Sequence, residues 1–209
     1  MLVIFDCDGV LVDSEVLSNE ALRETLAAYG VELTLEETMA EFMGRSRKHM
    51  LARSAELAGG TLPDDFGEEY DERRDAAFWR ELAPVEGIEE ALNEIEADGH
   101  ATCVASSGDL AKMRLTLGLT GLWDRFEGRI YSATDVAHGK PAPDLFIHAA
   151  AQMGFAPEDC IVVEDSPAGC EAARAAGMRV LGFGEDLDAD LLFDDMADLP
   201  GLVALPDDA

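Results

Sequence analysis

No hydrophobic run in this chain approaches the roughly 18 residues that a membrane-spanning helix requires, so no membrane partner is expected. Cations are scarce: 15 Lys and Arg stand against 44 Asp and Glu, a formal net charge of −29. Such a field repels nucleic acid and anionic lipid surfaces, and neither is expected as a partner. It repels anionic substrates as well, so a phosphate site here would need strong local positive charge from a divalent cation together with Lys or Arg. Most of the acids are read as a solvated, solubilising surface. No C-x-x-C pair occurs among Cys7, Cys103, Cys160 and Cys170, and Cys103 and Cys160 fall in or beside apolar stretches. Buried, reduced thiols of a cytoplasmic protein are the expectation. The first strand pattern begins at residue 2, which leaves no room for a signal peptide. Repeats and low-complexity tracts are absent, apart from a short acidic tail at Asp207-Asp208.

What is present reads as an α/β protein. At 209 residues and 48% hydrophobic content, the chain suits one large domain carrying a smaller insert. Leu2–Asp6, Ala101–Ala105, Arg129–Tyr131, Cys160–Glu164 and Arg179–Phe183 are candidate strands. Helical periodicity falls between them at Gly87–Ala97, Asp109–Leu117, Asp144–Met153 and Pro167–Ala176. Strands alternating with helices of that length imply right-handed crossovers and an open parallel sheet. One stretch breaks the alternation: Ser18–Tyr29, Thr34–Met43, Ser46–Leu57 and Asp65–Arg80 are all helical in pattern, the second opened by a Thr34-x-x-Glu37 capping box. The expected organisation is therefore an α/β core of residues 1–15 and 82–209, interrupted by a helical insert at 16–81.

Chemistry-bearing residues follow the strands. Two carboxylates, Asp6 and Asp8, leave the first strand at i and i+2, on one face and roughly 6–7 Å apart. Ser106-Ser107-Gly108 follows the second predicted strand, and Glu164-Asp165-Ser166 ends a later one. Lys140 sits in the loop His138-Gly139-Lys140-Pro141-Ala142-Pro143, just before a helix. Ligands of open α/β sheets bind outside the carboxyl ends of the strands, so these groups are expected at one edge. Taken singly, Ser106 reads as a turn or cap, Lys140 as a surface lysine, and Glu164-Asp165 as the start of a capped helix. Together they suit phosphoryl transfer. A carboxylate can attack phosphorus, a second acid can protonate the leaving oxygen and later deprotonate water, and hydroxyl and lysine can hold the transferring group. A hard divalent cation such as Mg²⁺ suits carboxylate, water and phosphate oxygens.

At these residues the chain resembles the haloacid dehalogenase-like superfamily, in particular its β-phosphoglucomutase-like phosphatase branch with a small helical cap. The resemblance covers residues 2 to about 185. It rests on Asp6-Cys7-Asp8-Gly9-Val10, extended through Leu11-Val12-Asp13-Ser14-Glu15; on Ser106 in Val104-Ala105-Ser106-Ser107; on Lys140-Pro141-Ala142-Pro143; and on Glu164-Asp165-Ser166-Pro167-Ala168-Gly169. It implies a Rossmann-like core, a cap at 16–81, and a monomeric or dimeric enzyme acting on a small-molecule phosphate ester with Mg²⁺. Asp6 would be the nucleophile and Asp8 the acid/base. Asp6, Asp8, Glu164 and Asp165 would surround the metal, Asp8 by its main-chain carbonyl and Glu164 directly or through water. Ser106, Ser107 and Lys140 would hold phosphate. In the cap, Gly44-Arg45-Ser46-Arg47 resembles the loop that meets the distal end of the substrate, which nominates Arg45 and Arg47.

Rivals are weighed on the residues. A dehalogenase needs no metal and usually lacks the second acid, against Asp8 and Glu164-Asp165. A phosphonatase uses a cap lysine, and Lys48 is nearby, but it too loses the acid at Asp8. In an EF-hand, glycine follows the first Asp by five residues; Gly9 follows Asp6 by three. A non-enzymatic phospho-acceptor domain lacks a cap, and its acceptor does not follow the first strand. Sugar phosphomutases are the nearest alternative. They resemble this chain in every core motif but carry a cap-hinge histidine where Ser18 stands, and a Ser-Lys pair where Gly108-Asp109 stands. Both departures favour hydrolysis. Sugar-acid esters such as phosphogluconate and phosphoglycolate are the expected substrate type.

Overall fold

Four apolar residues without alternation form β1 (Leu2–Phe5), and all four are fully buried, as a strand covered on both faces must be. The computed structural model describes residues 1–205; the Asp207-Asp208 tail lies outside the described residues. After β1 come α1 (Glu15–Ala28), α2 (Leu35–Phe42), α3 (Arg47–Leu57) and α4 (Phe66–Glu81). The chain then alternates through α5 (Ile88–Ala97), β2 (Ala101–Ser106), α6 (Leu110–Leu119), α7 (Trp123–Phe126), β3 (Ile130–Ser132), α8 (Asp144–Met153), β4 (Cys160–Glu164), α9 (Pro167–Ala175), β5 (Arg179–Phe183), β6 (Leu191–Phe193) and α10 (Leu199–Val203).

The strands form one parallel sheet in the order β3-β2-β1-β4-β5-β6. From β1 the chain steps outward through β2 and β3, then crosses back to β4 on the other side and continues to β5 and β6. The reversal leaves a crevice at the carboxyl ends of β1 and β4, where doubly wound sheets bind ligands. Register brings the ends level: Phe5 lies beside Val104 on one side and Val163 on the other. The sequence expectation for β4 and β5 matches the observed bounds, β1 and β2 differ by one residue at one end, and β3 is shifted by one residue at both ends. Elements of three to five residues (β6, α7 and α10) were not anticipated, being too short to show a period. The four cysteines are buried and unpaired, and among the described residues no helix is long and apolar enough to cross a membrane.

The chain separates into two compact units, one of Met1–Val12 with Pro84–Ala209 and the other of Asp13–Ala83. The second has its own core, in which Leu22, Leu26, Val31, Phe42, Met50 and Phe66 pack together and α1 lies along α4. Its capping box is formed: Glu37 N donates to Thr34 Oγ1 at 3.1 Å, and Thr34 N donates to Glu37 Oε2 at 2.8 Å.

Leu26 is wholly buried in that core. Leu26→Ala should destabilise the protein by about 2–5 kcal/mol in denaturant titration, the usual cost of such a cavity. A loss below about 1 kcal/mol would show that the unit has no close-packed centre.

Candidate active site

Asp6 ends β1 still held to the ladder, its N–H donating to Val163 O at 3.0 Å. The backbone then turns tightly: Leu11 and Val12 donate to Cys7 O, and Gly9 donates to Val12 O. Gly9 has φ of +75°, and a β-carbon there would lie 1.9 Å from Asp165 Oδ2. Only glycine lets the Asp8-Gly9 backbone lie against the Asp165 carboxylate, which arrives from the end of β4.

Lys140 is pulled inward from the loop before α8. Its side chain is only 4% exposed, with Nζ donating to Asp6 Oδ1 at 2.6 Å and pairing with Glu164 Oε1. It also lies over the Phe146 ring, 4.8 Å from the centroid. Glu164 is buried, and its other oxygen accepts from Ser166 N and Ser166 Oγ, both at 2.9 Å. Ser166 Oγ in turn accepts from Gly169 N and caps α9. Gly169 leaves room for this arrangement, since a β-carbon there would fall 1.9 Å from the Glu164 carboxyl carbon.

Burial is the largest influence on Asp6. Opposed by Lys140 and reinforced by Glu164 and Asp8, it pushes the carboxyl from 3.8 up to about 7. Burial alone would drag Lys140 down, but Asp6 and Glu164 outweigh it and hold the ammonium above its ordinary range. Cys7, between the two aspartates, is raised well above its ordinary value by burial and then by Asp8 and Asp6. Burial thus favours its thiol form.

The loop after β2 completes the edge. Buried Ser106 accepts from Gly108 N at 3.1 Å, and Ser132 Oγ donates to Gly108 O at 2.7 Å. The Gly108 α-carbon is flanked by Ser106 Oγ and Asp8 Oδ2, which lie 3.5 and 3.8 Å from where a β-carbon would stand. Ser107 is exposed at the tip. Asp109 caps α6, its Oδ1 accepting from Lys112 N at 2.8 Å. From the first turn of α6, Lys112 Nζ donates to Asp8 Oδ2 at 2.8 Å.

Comparison with known proteins identifies the family. The model of the haloacid dehalogenase-like hydrolase family matches residues 3–183. The chain belongs to that family. A 6-phosphogluconate phosphatase of Escherichia coli K12 is 35% identical over 185 residues, spanning 88% of this chain and 82% of the relative. A HAD-family hydrolase of Deinococcus radiodurans R1, solved with bound phosphate and sodium, has TM-score 0.79 and 32% identity, over 97% of this chain and 94% of that one. A β-phosphoglucomutase of Clostridium difficile has TM-score 0.82 and 25% identity, over 95% and 92% of the two chains.

In this haloacid dehalogenase-like hydrolase, the residues singled out in the core sequence therefore gather at one sheet edge: Asp6, Asp8, Ser106, Lys140, Glu164 and Asp165. Arg45 and Arg47 belong to the other compact unit. Both are exposed, and Arg47 is held there by Asp71 at 2.6 Å and by Gly67 O at 3.1 Å. Lys112 was not singled out from the sequence. A signal was available, because a cation in a helix's first turn opposes the macrodipole and calls for a partner.

The donor set at this edge is carboxylate and carbonyl oxygen, which fits a hard divalent cation. Four carboxylates face two ammonium groups, Lys140 and Lys112, leaving the edge net negative. A cation is thus the missing charge for an anionic substrate. Among the described residues, no three side chains stand ready as a closed ligand cluster. Glu164 is held through both oxygens by Lys140 and Ser166, Asp6 is paired with Lys140 and Asp8 with Lys112, and the Asp165 carboxylate lies against the Gly9 turn.

Folded Asp6 holds its proton more tightly than its ordinary value of 3.8 allows in the unfolded chain. Its contribution to stability is therefore full below about 4 and lost as pH rises through about 7. Lys140→Met removes the cation that limits this loss. In chelator, the melting-temperature deficit of Lys140→Met, already present near about pH 5 because Glu164 also loses its partner, should widen toward about pH 8 as Asp6 ionises. There it should correspond to about 3–5 kcal/mol, the cost of orphaning a buried charge. An equal deficit at both ends would contradict the buried network.

Proposed function

We propose that this hydrolase is a Mg²⁺-dependent phosphomonoesterase acting on a small phosphorylated metabolite through an aspartyl-phosphate. The observation that carries the reading is a buried Asp6 at the β1 edge, steered by Lys140, with Asp8 one turn of backbone away. An Asp6 oxygen attacks phosphorus as the ester P–O bond breaks, and the departing oxygen takes a proton from Asp8. Asp8 then takes a proton from water, whose oxygen attacks the phosphoaspartate, releasing phosphate and restoring Asp6. Ser106, Ser107 and Lys140 hold the transferring oxygens. Asp6, Asp165 and the Asp8 carbonyl would hold Mg²⁺, with Glu164 behind them. The cation supplies the positive charge that lets a phosphate dianion approach a carboxylate.

The Asp13–Ala83 unit serves, on this reading, as the cap that selects substrate. Sugar-acid phosphates are the preferred class, supported by the similarity to a 6-phosphogluconate phosphatase. Of the two cap arginines, Arg45 is the one proposed to read a distal group, because Arg47 is already paired with Asp71. The mutase alternative draws on the likeness to a β-phosphoglucomutase. Ser18 in place of a hinge histidine speaks against it. So does Asp109, whose carboxylate caps α6 instead of presenting a cation to a second phosphate.

A panel of sugar phosphates, sugar-acid phosphates, nucleotides and phosphoglycolate should release inorganic phosphate with Mg²⁺ and none in excess chelator. Asp6→Asn should retain the fold and fall below about one part in a thousand of wild-type kcat, as nucleophile removal does. Full activity in chelator would point to dehalogenase-type chemistry instead. With a sugar 1-phosphate and a bisphosphate primer, phosphate should accumulate; isomerisation to the 6-phosphate without phosphate release would establish the mutase.

A further inference from the structure

We propose that Lys112 is a positioning residue that aims the Asp8 carboxyl at the leaving-group oxygen. The inference rests on the phosphatase reading and extends it to a residue outside the motifs. Lys112 occupies the third position of α6, and helical side chains lean toward the N-terminus, so its ammonium reaches back to the carboxyl edge of the sheet. There Nζ meets Asp8 Oδ2 at 2.8 Å. Both side chains are mostly buried, at 20% and 16% exposure, so this is not a solvated surface pair of small effect.

Two further features tie α6 to the aspartate loop. One turn on, Thr116 Oγ1 lies 3.9 Å from Cys7 Sγ, so the same helix face touches two consecutive loop residues. At its start, Asp109 accepts the Lys112 N–H, while Gly108 is clamped by Ser106 and Ser132. The backbone from which Lys112 springs is therefore fixed at both ends of the turn. A cation at that end of a helix opposes the helix field, and Asp8 is the counter-charge that offsets it. With Oδ2 held by Lys112, the Asp8 carboxyl is restrained from rotating, and this sets where the proton is delivered. Lys112 itself exchanges no proton in the reaction.

The test reads leaving-group dependence. An alkyl ester departs as a strongly basic oxygen and needs its proton, whereas p-nitrophenolate leaves without one. The kcat/KM ratio covers only the steps through phosphoryl transfer, where the two esters differ in that need. On the best alkyl ester from the panel, Lys112→Met should lose on the order of tenfold to a hundredfold in kcat/KM, part of the 10²–10⁴ that general acids supply. On p-nitrophenyl phosphate the loss should stay under about threefold. If Lys112→Met folds poorly, the same ratio is read on Lys112→Gln. Equal losses on both esters, or none on either, would overturn the inference while leaving the phosphatase reading intact. A wild type that cleaves neither ester would instead overturn the phosphatase reading, and this inference with it.

Discussion

One ammonium group makes the edge of this sheet possible. The switch point between β1 and β4 brings Asp6 and Glu164 side by side on adjacent strands, both buried, in a chain already strongly negative. Two carboxylates in that position repel each other and lack water, and burial alone raises Asp6 substantially. Lys140, drawn in from a neighbouring loop until almost no part of it is exposed, pairs with both. Stability and the proposed chemistry meet in this contact: the cation that lets the carboxylates coexist is the one proposed to hold the transferring phosphoryl group.

The rest of the edge is arranged so that polar groups approach one another more closely than side chains normally allow. Gly9 and Gly169 each leave space that a carboxylate fills, Asp165 at the first and Glu164 at the second. Glu164 is further fixed by Ser166, which begins α9, so the orientation of an acid at the end of β4 is coupled to the start of the next helix. On the other flank, Ser132 at the end of β3 steadies the Gly108 loop after β2. The carboxyl ends of β1, β2, β3 and β4 thus each bring a polar group to this edge, Asp6, Ser106, Ser132 and Glu164.

Much of this was legible in the chain itself. The unbroken apolar run at Leu2–Phe5 marked a buried parallel strand, and the alternation of strand and helix patterns marked the doubly wound core. The long helical stretch between them stood out because it had no strand. Thr34 and Glu37 announced their capping box by spacing alone. Asp6, Asp8, Ser106 and Glu164-Asp165 were visible because each follows or ends a predicted strand, and strand ends share an edge, whereas Lys140 stood out by its Lys-Pro-x-Pro loop before a helix. Short elements such as β6 were not visible, since three residues carry no period and β6 gains its place only from pairing with β5.

What local sequence determined, then, is the set of candidate site groups and their places at the ends of strands and in loops, because periodicity and motif spacing are properties of neighbours in the chain. Tertiary structure alone decided the partners. Lys140 and Asp6 are separated by 134 positions and Lys112 and Asp8 by 104, and no local pattern encodes a contact over that distance. It also divided work between residues of one type: Glu164 is held by Lys140 and Ser166 while Asp165 faces the Gly9 turn, and Asp109 caps a helix while Asp8 faces the site. Their charges are identical in sequence; burial and distance, which only the folded chain sets, make them different.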